Sequence, residues 1–281
     1  MTLVHRKKIA LRAKKSLGQN FLVDENVAAG VVRALDPRAD ETVIEIGAGR
    51  GALTARLMPT VGRLVAVEFD RELVPVLQER FGLHDNFVLV HGDALEVDYC
   101  AAIKPAVRAR VVANLPYNIA TAILQRLIAQ RACITEMILM LQREMVERIT
   151  APPGSGERGF FSVFVEAYCV AERLFDVSPT AFRPVPKVWS TVARLRVRDQ
   201  IAADIGDETL LWQTVSAGFA QRRKTIHNNL RGAPTPLRAR VEARGGAAAA
   251  LAAAGVEPQR RAETLNLEEW ARLTRALEGV E

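Results

Sequence analysis

The chain has 281 residues, of which 49% are hydrophobic and 25% are charged, so it can bury the core of one large domain or of a large and a small one. No apolar run has transmembrane length, and no apolar segment follows the basic N-terminus, which argues against membrane-spanning and secreted proteins. The net charge of +6 and the pI near 9.5 favour a polyanionic partner. We therefore expect a cytoplasmic protein without a membrane partner.

The cysteines and histidines indicate neither a disulfide framework nor a metal site. Cys100, Cys133 and Cys169 lie far apart and form no Cys-x-x-Cys pair. This sparse, odd number of cysteines argues against disulfides and for a reducing compartment. The four histidines show no metal-ligand spacing, so no metal is expected.

The N-terminal segment is basic. Residues 1–23 contain six basic side chains and no acid, which predicts a basic arm over residues 1–17, although such runs are usually no more than solvated tails. The uncharged Gln19-Asn20-Phe21-Leu22 that follows is not tail-like. Asp24 can then cap a helix whose apolar residues, spaced through to Leu35, form one buried face.

A strand, a glycine loop and a helix come next. Residues 42–46 read as a buried strand, Gly47-Ala48-Gly49-Arg50-Gly51 follows at once, and a helix is predicted from Ala52 to about Leu57. This context makes a glycine motif meaningful, because it allows a tight turn and close approach of a ligand to the backbone. The next strand, 64–67, ends in Glu68, where an acid commonly binds the ribose hydroxyls of a nucleotide-like cofactor.

Two further strand ends extend the series. The strand at 87–90 leads to Asp93, and the strand at 109–113 leads to Asn114-Leu115-Pro116-Tyr117. In open α/β sheets, ligands bind at the carboxyl ends of the strands. Four consecutive strand ends that close with small or polar residues therefore predict a ligand site along this edge.

The chemistry of residues 114–117 suits the amino group of adenine. The Asn114 side chain can accept one hydrogen bond, and the Leu115 carbonyl, held extended by Pro116, can accept a second. The Tyr117 ring offers a face on which a base can stack. A tight turn after a strand would use the same residue types, so the tetrapeptide alone leaves both interpretations open.

The remainder of the chain divides at about residue 204. A helix is predicted at 120–130, a strand at 137–141, strands at 162–170 and 190–197 that close the sheet as an antiparallel pair, and a loop at 180–187. Residues 205–281 change to helical periodicity. We therefore predict a Rossmann-like domain over 1–204 and a small helical RNA-binding domain over 205–281.

Several motifs together resemble the ribosomal RNA adenine N6-dimethyltransferases, which are class I S-adenosylmethionine enzymes. The resemblance runs from about residue 15 to 270, and its later part looks like the small-subunit branch named for kasugamycin sensitivity. The motifs that carry it are Gln19-Asn20-Phe21-Leu22, residues 45–54, Gly92-Asp93-Ala94-Leu95, residues 114–119, Pro179-x-x-Phe182-x-Pro184-x-Pro186-Lys187-Val188-x-Ser190 and residues 219–230. Ala48 stands where many relatives carry proline, which leaves the backbone path plausible.

The resemblance implies an α/β class I methyltransferase fold and a set of site residues. The implied cofactor, S-adenosyl-L-methionine, would be bound by Asn20, Leu22, Gly47, Glu68, Asp93 and Asn114. Asn114, Leu115, Pro116 and Tyr117 would form the catalytic pocket, and either Phe160 or Phe161 could press on the target base or be ordinary core. Arg222, Arg223 and Lys224, interpreted as part of a helical stretch, are the predicted RNA contacts.

The implied reaction is dimethylation of two adjacent adenosines in the loop of the 3′-terminal hairpin of 16S rRNA, with a role in small-subunit biogenesis. We expect a monomer that binds the small-subunit precursor and no DNA. A DNA adenine methyltransferase would share the pocket but not the extended match, and a dehydrogenase has no use for residues 114–117. A large-subunit rRNA methyltransferase, or an assembly factor that acts mainly by binding, stays open as an alternative.

Overall fold

Residues 12–279 are described by a computed structural model, in which this range contains nine β-strands and twelve α-helices. The strands are β1 (Phe21–Leu22), β2 (Thr42–Ile46), β3 (Arg63–Glu68), β4 (Phe87–His91), β5 (Ala109–Asn114), β6 (Ile134–Gln142), β7 (Cys169–Val177), β8 (Phe182–Arg183) and β9 (Ser190–Val197). The helices are α1 (Glu25–Leu35), α2 (Thr54–Leu57), α3 (Val74–Phe81), α4 (Tyr99–Ala102), α5 (Ala120–Ala129), α6 (Arg143–Ile149), α7 (Phe160–Tyr168), α8 (Glu208–Gly218), α9 (Ile226–Arg231), α10 (Leu237–Ala243), α11 (Ala247–Ala254) and α12 (Leu267–Leu277). Most of the predicted basic arm, including Arg6, Lys7 and Lys8, lies outside the described residues.

Seven strands form one sheet in the order β4-β3-β2-β5-β6-β9-β7, and β1 pairs with β8 in a separate antiparallel ribbon. The strands β4, β3, β2, β5 and β6 run parallel to one another. Both faces of a parallel sheet are covered, which explains why β2 is buried at all five positions and why its sequence is a nearly unbroken apolar run. The predicted class I methyltransferase architecture is confirmed, with its strand ends on one edge.

The backbone divides into two compact units. The first extends up to Arg143 and includes Leu174–Leu195, and the second comprises Glu144–Arg173 and Arg196–Glu281. The first unit holds the parallel strands and α1–α5. Helix α1 begins where predicted, because the Asp24 carboxylate accepts hydrogen bonds from the backbone N–H groups of Asn26 and Val27. The domain boundary at residue 204 stays a prediction.

The second unit is largely helical, and residues 205–279 follow the predicted helical periodicity. Trp270 of α12 is fully buried and packs on Phe219, with ring centroids 5.7 Å apart. A Cβ atom on Gly218 would lie 2.3 Å from the Trp270 ring, so the close packing of α8 on α12 requires glycine there.

The predicted strand at residues 162–170 is wrong, because most of this segment is helix α7. Ser162 starts the helix: its hydroxyl accepts a hydrogen bond from the Gly159 N–H and donates one to the Arg148 carbonyl. The segment is apolar almost throughout, and a short apolar run has no periodicity that separates a buried helix from a buried strand. Strand β7 begins only at Cys169.

The expectation that the cysteines form no disulfide is also wrong, because Cys100 and Cys133 are bonded, with Cα atoms 5.5 Å apart. Gln130 holds the two segments together. Its side-chain oxygen accepts a hydrogen bond from the Tyr99 N–H at 2.7 Å, and its amide nitrogen donates to the Val97 carbonyl at 2.9 Å. Cys169 is buried and takes no part in this disulfide.

Candidate active site

A cavity of about 280 Å³ lies at the carboxyl edge of the parallel strands in the first unit. Nearly all of the predicted cofactor and catalytic residues line it. These are Asn20, Gly47, Glu68, Asp93, Asn114, Leu115, Pro116 and Tyr117. Apart from Asn20, these residues converge because each lies at or just after the carboxyl end of a parallel strand, and these strands end at the same edge.

The glycine loop after β2 forms an open cradle. Gly47 and Gly49 have φ values of 70° and 60°, a region that favours glycine. A Cβ atom on Gly49 would lie 3.3 Å from the Phe21 ring, so the loop packs closely against the segment that precedes α1. A Cβ atom on Gly47 would meet nothing nearer than the Asn114 carbonyl oxygen at 3.9 Å. The space above Gly47 is therefore available to a ligand, as a bound cofactor requires.

Glu68 connects this loop to the end of β3. The residue is 5% exposed, and its carboxylate accepts hydrogen bonds from the backbone N–H of Gly49 at 2.7 Å and of Asp70 at 2.8 Å. Burial raises the pKa of Glu68, and the hydrogen bonds from these N–H groups offset only part of that rise. A buried carboxylate with remaining lone pairs that faces the cavity can accept two adjacent hydroxyl groups, such as those of a ribose.

A second buried acid, Glu45, lies beneath the loop. Its side chain is 1% exposed, and its carboxylate accepts a hydrogen bond from the Thr54 hydroxyl at 2.6 Å. Burial raises the pKa of Glu45 to about 8, and the negative charge of Glu68 adds to the rise. The group is therefore largely protonated at neutral pH and ties β2 to the first turn of α2.

Asp93 lies where β4 ends. Its carboxylate accepts a hydrogen bond from the Leu95 N–H at 2.9 Å, which fixes the turn and leaves oxygen positions for a ligand amine. The Tyr99 hydroxyl donates to the Ala94 carbonyl at 2.7 Å and holds the same turn from the other side. Burial raises the pKa of Tyr99, so this hydroxyl keeps its proton and remains a donor.

Asn114 is oriented by its backbone surroundings. Its amide nitrogen donates a hydrogen bond to the Asn20 carbonyl at 3.1 Å, so the side-chain oxygen remains as the acceptor on the cavity side. The Leu115 N–H donates to the Met140 carbonyl at 3.2 Å, and the Leu115 carbonyl precedes Pro116. Two acceptors are thus available at the end of β5.

The Tyr117 ring is fixed through its hydroxyl, which lies 2.7 Å from the Ser190 hydroxyl at the start of β9. Burial raises the pKa of Tyr117, and the bond with Ser190 lowers it by less, so the phenol stays neutral. A neutral ring held at its far end offers one face to the cavity, which suits stacking on a base.

The segment before α1 is anchored by contacts that the sequence does not predict. The Lys14 ammonium lies 2.6 Å from the Asp70 carboxylate, and the Gln19 side-chain nitrogen donates to the same carboxylate at 2.8 Å. Burial would raise the pKa of Asp70, but these contacts outweigh it and lower the pKa. Lys14 also pairs with Glu72 at 3.1 Å, so this part of the predicted arm binds the first unit itself.

Other predicted site residues lie elsewhere. Leu22 is buried in the core and does not line the cavity. Phe160 and Phe161 belong to the second unit, where both stack near the Phe164 ring at 6.3 and 5.8 Å. Phe69 lines the cavity and is 54% exposed, but it was not among the predicted site residues. Its position directly after Glu68 is the feature of the sequence that indicates a place at the site.

Arg222, Arg223 and Lys224 do not lie in a helical stretch, as predicted, but in the exposed turn between α8 and α9. Asn229 shapes this turn: its buried amide donates to the carbonyls of Gly218 at 2.5 Å and Gln221 at 3.2 Å. The three cations are therefore close together on the surface of the second unit. The sequence identifies Asn229 only as a member of the motif at residues 219–230.

Residues 12–279 contain neither a cluster of metal ligands nor a membrane-spanning helix. No set of three or more His, Cys, Asp or Glu side chains in this range is placed to hold a metal ion. No helix in the same range is both long and apolar enough to cross a membrane.

Comparison with known proteins gives a consistent set of relatives. The family described as ribosomal RNA adenine dimethylase has a model that matches residues 10–277. The ribosomal RNA small subunit methyltransferase A of Geobacter metallireducens is 41% identical, covering 95% of this chain and 96% of that protein. The protein of the same name from Anaeromyxobacter sp. (strain K) is 44% identical over 95% of this chain and 94% of its own.

Solved structures show the same fold. A dimethyladenosine transferase from Plasmodium falciparum superposes with a TM-score of 0.74 at 20% identity, covering 90% of this chain and 95% of that one. The 23S rRNA methyltransferase ErmE gives a TM-score of 0.68 at 27% identity, covering 92% of this chain and all of that one. The similarity to the large-subunit enzyme is thus lower in sequence than the similarity to the small-subunit relatives.

Proposed function

The chain belongs to the ribosomal RNA adenine dimethylase family, and we propose that it dimethylates N6 of two adjacent adenosines in the loop of the 3′-terminal hairpin of 16S rRNA. The methyl donor is S-adenosyl-L-methionine. The protein acts on the small ribosomal subunit precursor as a cytoplasmic monomer, with no DNA or membrane partner, and contributes to subunit biogenesis. The observation that carries this proposal is the pair of acceptors at Asn114 and Leu115, beside the cradle above Gly47.

The cavity residues fit the proposed methyl donor. Glu68 would accept the ribose hydroxyls, and Asp93 would accept the adenine amine. The open space above Gly47 would hold the donor where its ribose joins the methionine part. Asn20 would lie at the methionine end, and Leu22 supports that segment from the core. The bound donor supplies a methyl group made electrophilic by a sulfonium sulfur.

Asn114 and Leu115 would prepare the nucleophile. The exocyclic amine of adenine is weakly nucleophilic because its lone pair is delocalised into the ring. Two acceptors that hold its two N–H bonds favour a pyramidal nitrogen and direct the lone pair to one side. Orientation of this kind supplies a large part of a rate enhancement without an acid or base. After one transfer the nitrogen releases one proton to solvent and retains one hydrogen, so a second transfer can follow.

Tyr117 would hold the base. Its ring, fixed by Ser190, stacks on an adenine that has left any helical stack, and single-stranded loops supply such bases most readily. Arg222, Arg223 and Lys224, in the second unit, would contact phosphates. Phosphate contacts position the particle, and the pocket selects the base.

Transfer of tritiated methyl groups tests the proposal. The substrates are small and large ribosomal particles from cells that lack the enzyme. We expect two adjacent dimethyladenosines in the small-subunit RNA and no label in the large-subunit RNA. Label in the large subunit would support the alternative methyltransferase, and tight particle binding without any label would support a factor that acts by binding alone.

A further inference from the structure

Trp189 is an exposed aromatic residue in a short cluster of exposed apolar side chains. Among the described residues, eight large hydrophobic side chains are exposed, and three of them, Val185, Val188 and Trp189, lie within five positions. The Trp189 side chain is 45% exposed. Large aromatic rings are usually buried, and a cluster of exposed apolar side chains marks a binding surface more often than chance exposure does. We call residues 185–189 the rim segment.

The rim segment lies at the same sheet edge as the cavity. The Trp189 carbonyl accepts a hydrogen bond from the Arg143 N–H at 3.0 Å, which places Trp189 beside the end of β6. The next residue, Ser190, lies 2.7 Å from the Tyr117 hydroxyl. Since β9 is two strands from β5 in the sheet, the start of β9 and the end of β5 are separated by about 10 Å.

Trp189 and Ser190 do not serve the same pocket. Successive residues of a strand point to opposite sides, so Ser190 faces Tyr117 whereas Thr191 faces Asp176. The Arg143 guanidinium that lies over the Trp189 ring pairs with the same Asp176, which places the ring on the side of Thr191 and away from Tyr117. The ring is therefore close to the base pocket but outside it. It can receive a nucleotide next to the one that enters the pocket, but not the target base itself.

The charge beside the ring favours nucleic acid. The Arg143 guanidinium lies 5.8 Å from the centre of the Trp189 ring, and its side chain is 45% exposed. The Asp176 carboxylate lies 3.9 Å from the guanidinium and accepts a hydrogen bond from the Thr191 hydroxyl at 2.6 Å. Lys187 in the rim segment is exposed. An aromatic face with flanking cations is the typical surface for single-stranded RNA.

We propose that the Trp189 indole is the stacking platform for the nucleotide adjacent to the methylated adenosine, with Arg143 beside it facing the RNA backbone. The inference rests on the proposed function, because it requires an RNA strand whose target base occupies the cavity. Trp189 is a substrate-positioning residue: it holds the strand in register while residues 114–117 hold the reacting base.

The test compares Trp189→Ala, Trp189→Phe and the control Leu83→Ala, which removes an apolar side chain that is 95% exposed in the α3–β4 connection. With small-subunit particles as substrate, Trp189→Ala should raise KM about tenfold, the loss typical of one base stacked on an aromatic ring. The effect should be in KM rather than in kcat. Trp189→Phe should restore most of the affinity, and Leu83→Ala should leave KM unchanged.

A second measurement uses a short single-stranded oligoadenylate and tryptophan fluorescence. The chain has three tryptophans, so quenching that is present in the wild type and absent in Trp189→Phe reports on Trp189 itself. An unchanged KM in Trp189→Ala would overturn the proposal. The proposal would also be overturned if Trp189→Ala bound particles more weakly than the wild type but bound the oligonucleotide equally well, since the ring would then contact a ribosomal protein. If the wild type methylates neither subunit, the proposed function fails, whereas fluorescence still tests the stacking.

Discussion

The Glu68 carboxylate accepts a hydrogen bond from the Gly49 N–H at 2.7 Å, so the acid that ends one strand holds the glycine loop that ends its neighbour. Glu68 therefore fixes the cradle before any ligand arrives. The same carboxylate lines the cavity, where we propose that it accepts the ribose hydroxyls. A ligand that bridges Gly47 and Glu68 meets a preorganised surface.

Glu68→Ala should weaken binding of S-adenosylmethionine by roughly 1.5–3 kcal/mol, because charge-assisted hydrogen bonds to the ribose are lost. Isothermal calorimetry measures the affinity, and Glu25→Ala, which removes an exposed acid from α1, is the matched control. In the wild type, the raised pKa of Glu68 means that affinity should fall on acidification, as the carboxylate takes up a proton. If a folded Glu68→Ala variant binds S-adenosylmethionine as tightly as the wild type does, Glu68 does not contact the cofactor.

Glu45→Gln should make stability less dependent on pH. The pKa of Glu45 is about 8 in the folded chain and near its ordinary value of 4.5 in the unfolded chain. Between pH 5 and 8 the folded state keeps a proton that the unfolded state releases, so the free energy of unfolding falls as pH rises, by up to roughly 1.4 kcal/mol per pH unit. Above pH 8 Glu45 is ionised in both states, so it no longer lowers the free energy of unfolding as pH rises.

Glutamine can still accept the Thr54 hydrogen bond but does not titrate, so the variant should gain stability relative to the wild type from pH 5 to 8. Urea unfolding at a series of pH values measures this. The exposed Glu25→Gln provides the control, and its profile should follow the wild type. If the profiles of Glu45→Gln and the wild type are parallel, Glu45 does not hold a proton in the folded chain.

The sequence predicts which residues lie at the carboxyl edge of the sheet, but it does not predict the contacts that anchor the segment before α1. Gly47, Glu68, Asp93 and Asn114 each follow an apolar run, so strand periodicity alone placed them together. The Lys14–Asp70 pair joins residues 56 positions apart, and nothing in a run of charges indicates which acid a lysine contacts. Such pairings depend on the packed fold.

The disulfide likewise could not be predicted from the sequence, because it depends on the packed fold. Cys100 and Cys133 are separated by 33 residues, and only the contacts of Gln130 with Tyr99 and Val97 bring their segments together. Helix α7 could not be distinguished from a strand by its apolar run. The turn at Arg222 lies between helices and was assigned to the helical pattern around it.

Reduction of the Cys100–Cys133 disulfide should lower the free energy of unfolding by about 3–4 kcal/mol, because the unfolded chain regains the freedom of a 33-residue loop. Denaturant unfolding with and without reductant measures the difference, and the Cys100→Ser/Cys133→Ser variant should be insensitive to reductant. Cys169→Ser is the control for the third thiol. Three reactive thiols in the unfolded, unreduced protein would contradict the disulfide.

Asn114→Ala should abolish methyl transfer while the protein remains folded and binds RNA. Loss of a preorganised polar group aimed at the reacting atoms typically costs a factor of about 100 or more in kcat. Single-turnover transfer from tritiated donor measures the rate, and filter binding of the particle checks RNA affinity. Asn26→Ala, an exposed asparagine of α1, is the control. A rate near that of the wild type would mean that the amine does not need the Asn114 oxygen.

The last prediction concerns the exposed turn between α8 and α9. A pocket that holds one base offers too little surface to select one loop of a ribosomal particle, so contacts with phosphates elsewhere should supply the affinity. Arg222, Arg223 and Lys224 are exposed and adjacent in this turn, which Asn229 fixes from beneath. We expect that replacing all three by alanine leaves affinity for the cofactor unchanged, since the cavity belongs to the first unit and the turn to the second.

Binding of the particle should weaken and should also depend less on salt. Each phosphate contact that is lost reduces the slope of log affinity against log salt concentration by roughly 0.7 to 0.9, because fewer counterions are released on binding. The control removes three exposed cations from the first unit, Arg33, Arg38 and Lys104, and so matches the change in net charge. If the basic turn binds RNA, the triple variant at the turn has a shallower slope than this control. Equal slopes for the two variants would mean that net charge alone sets the affinity and that the turn is an ordinary solvated surface.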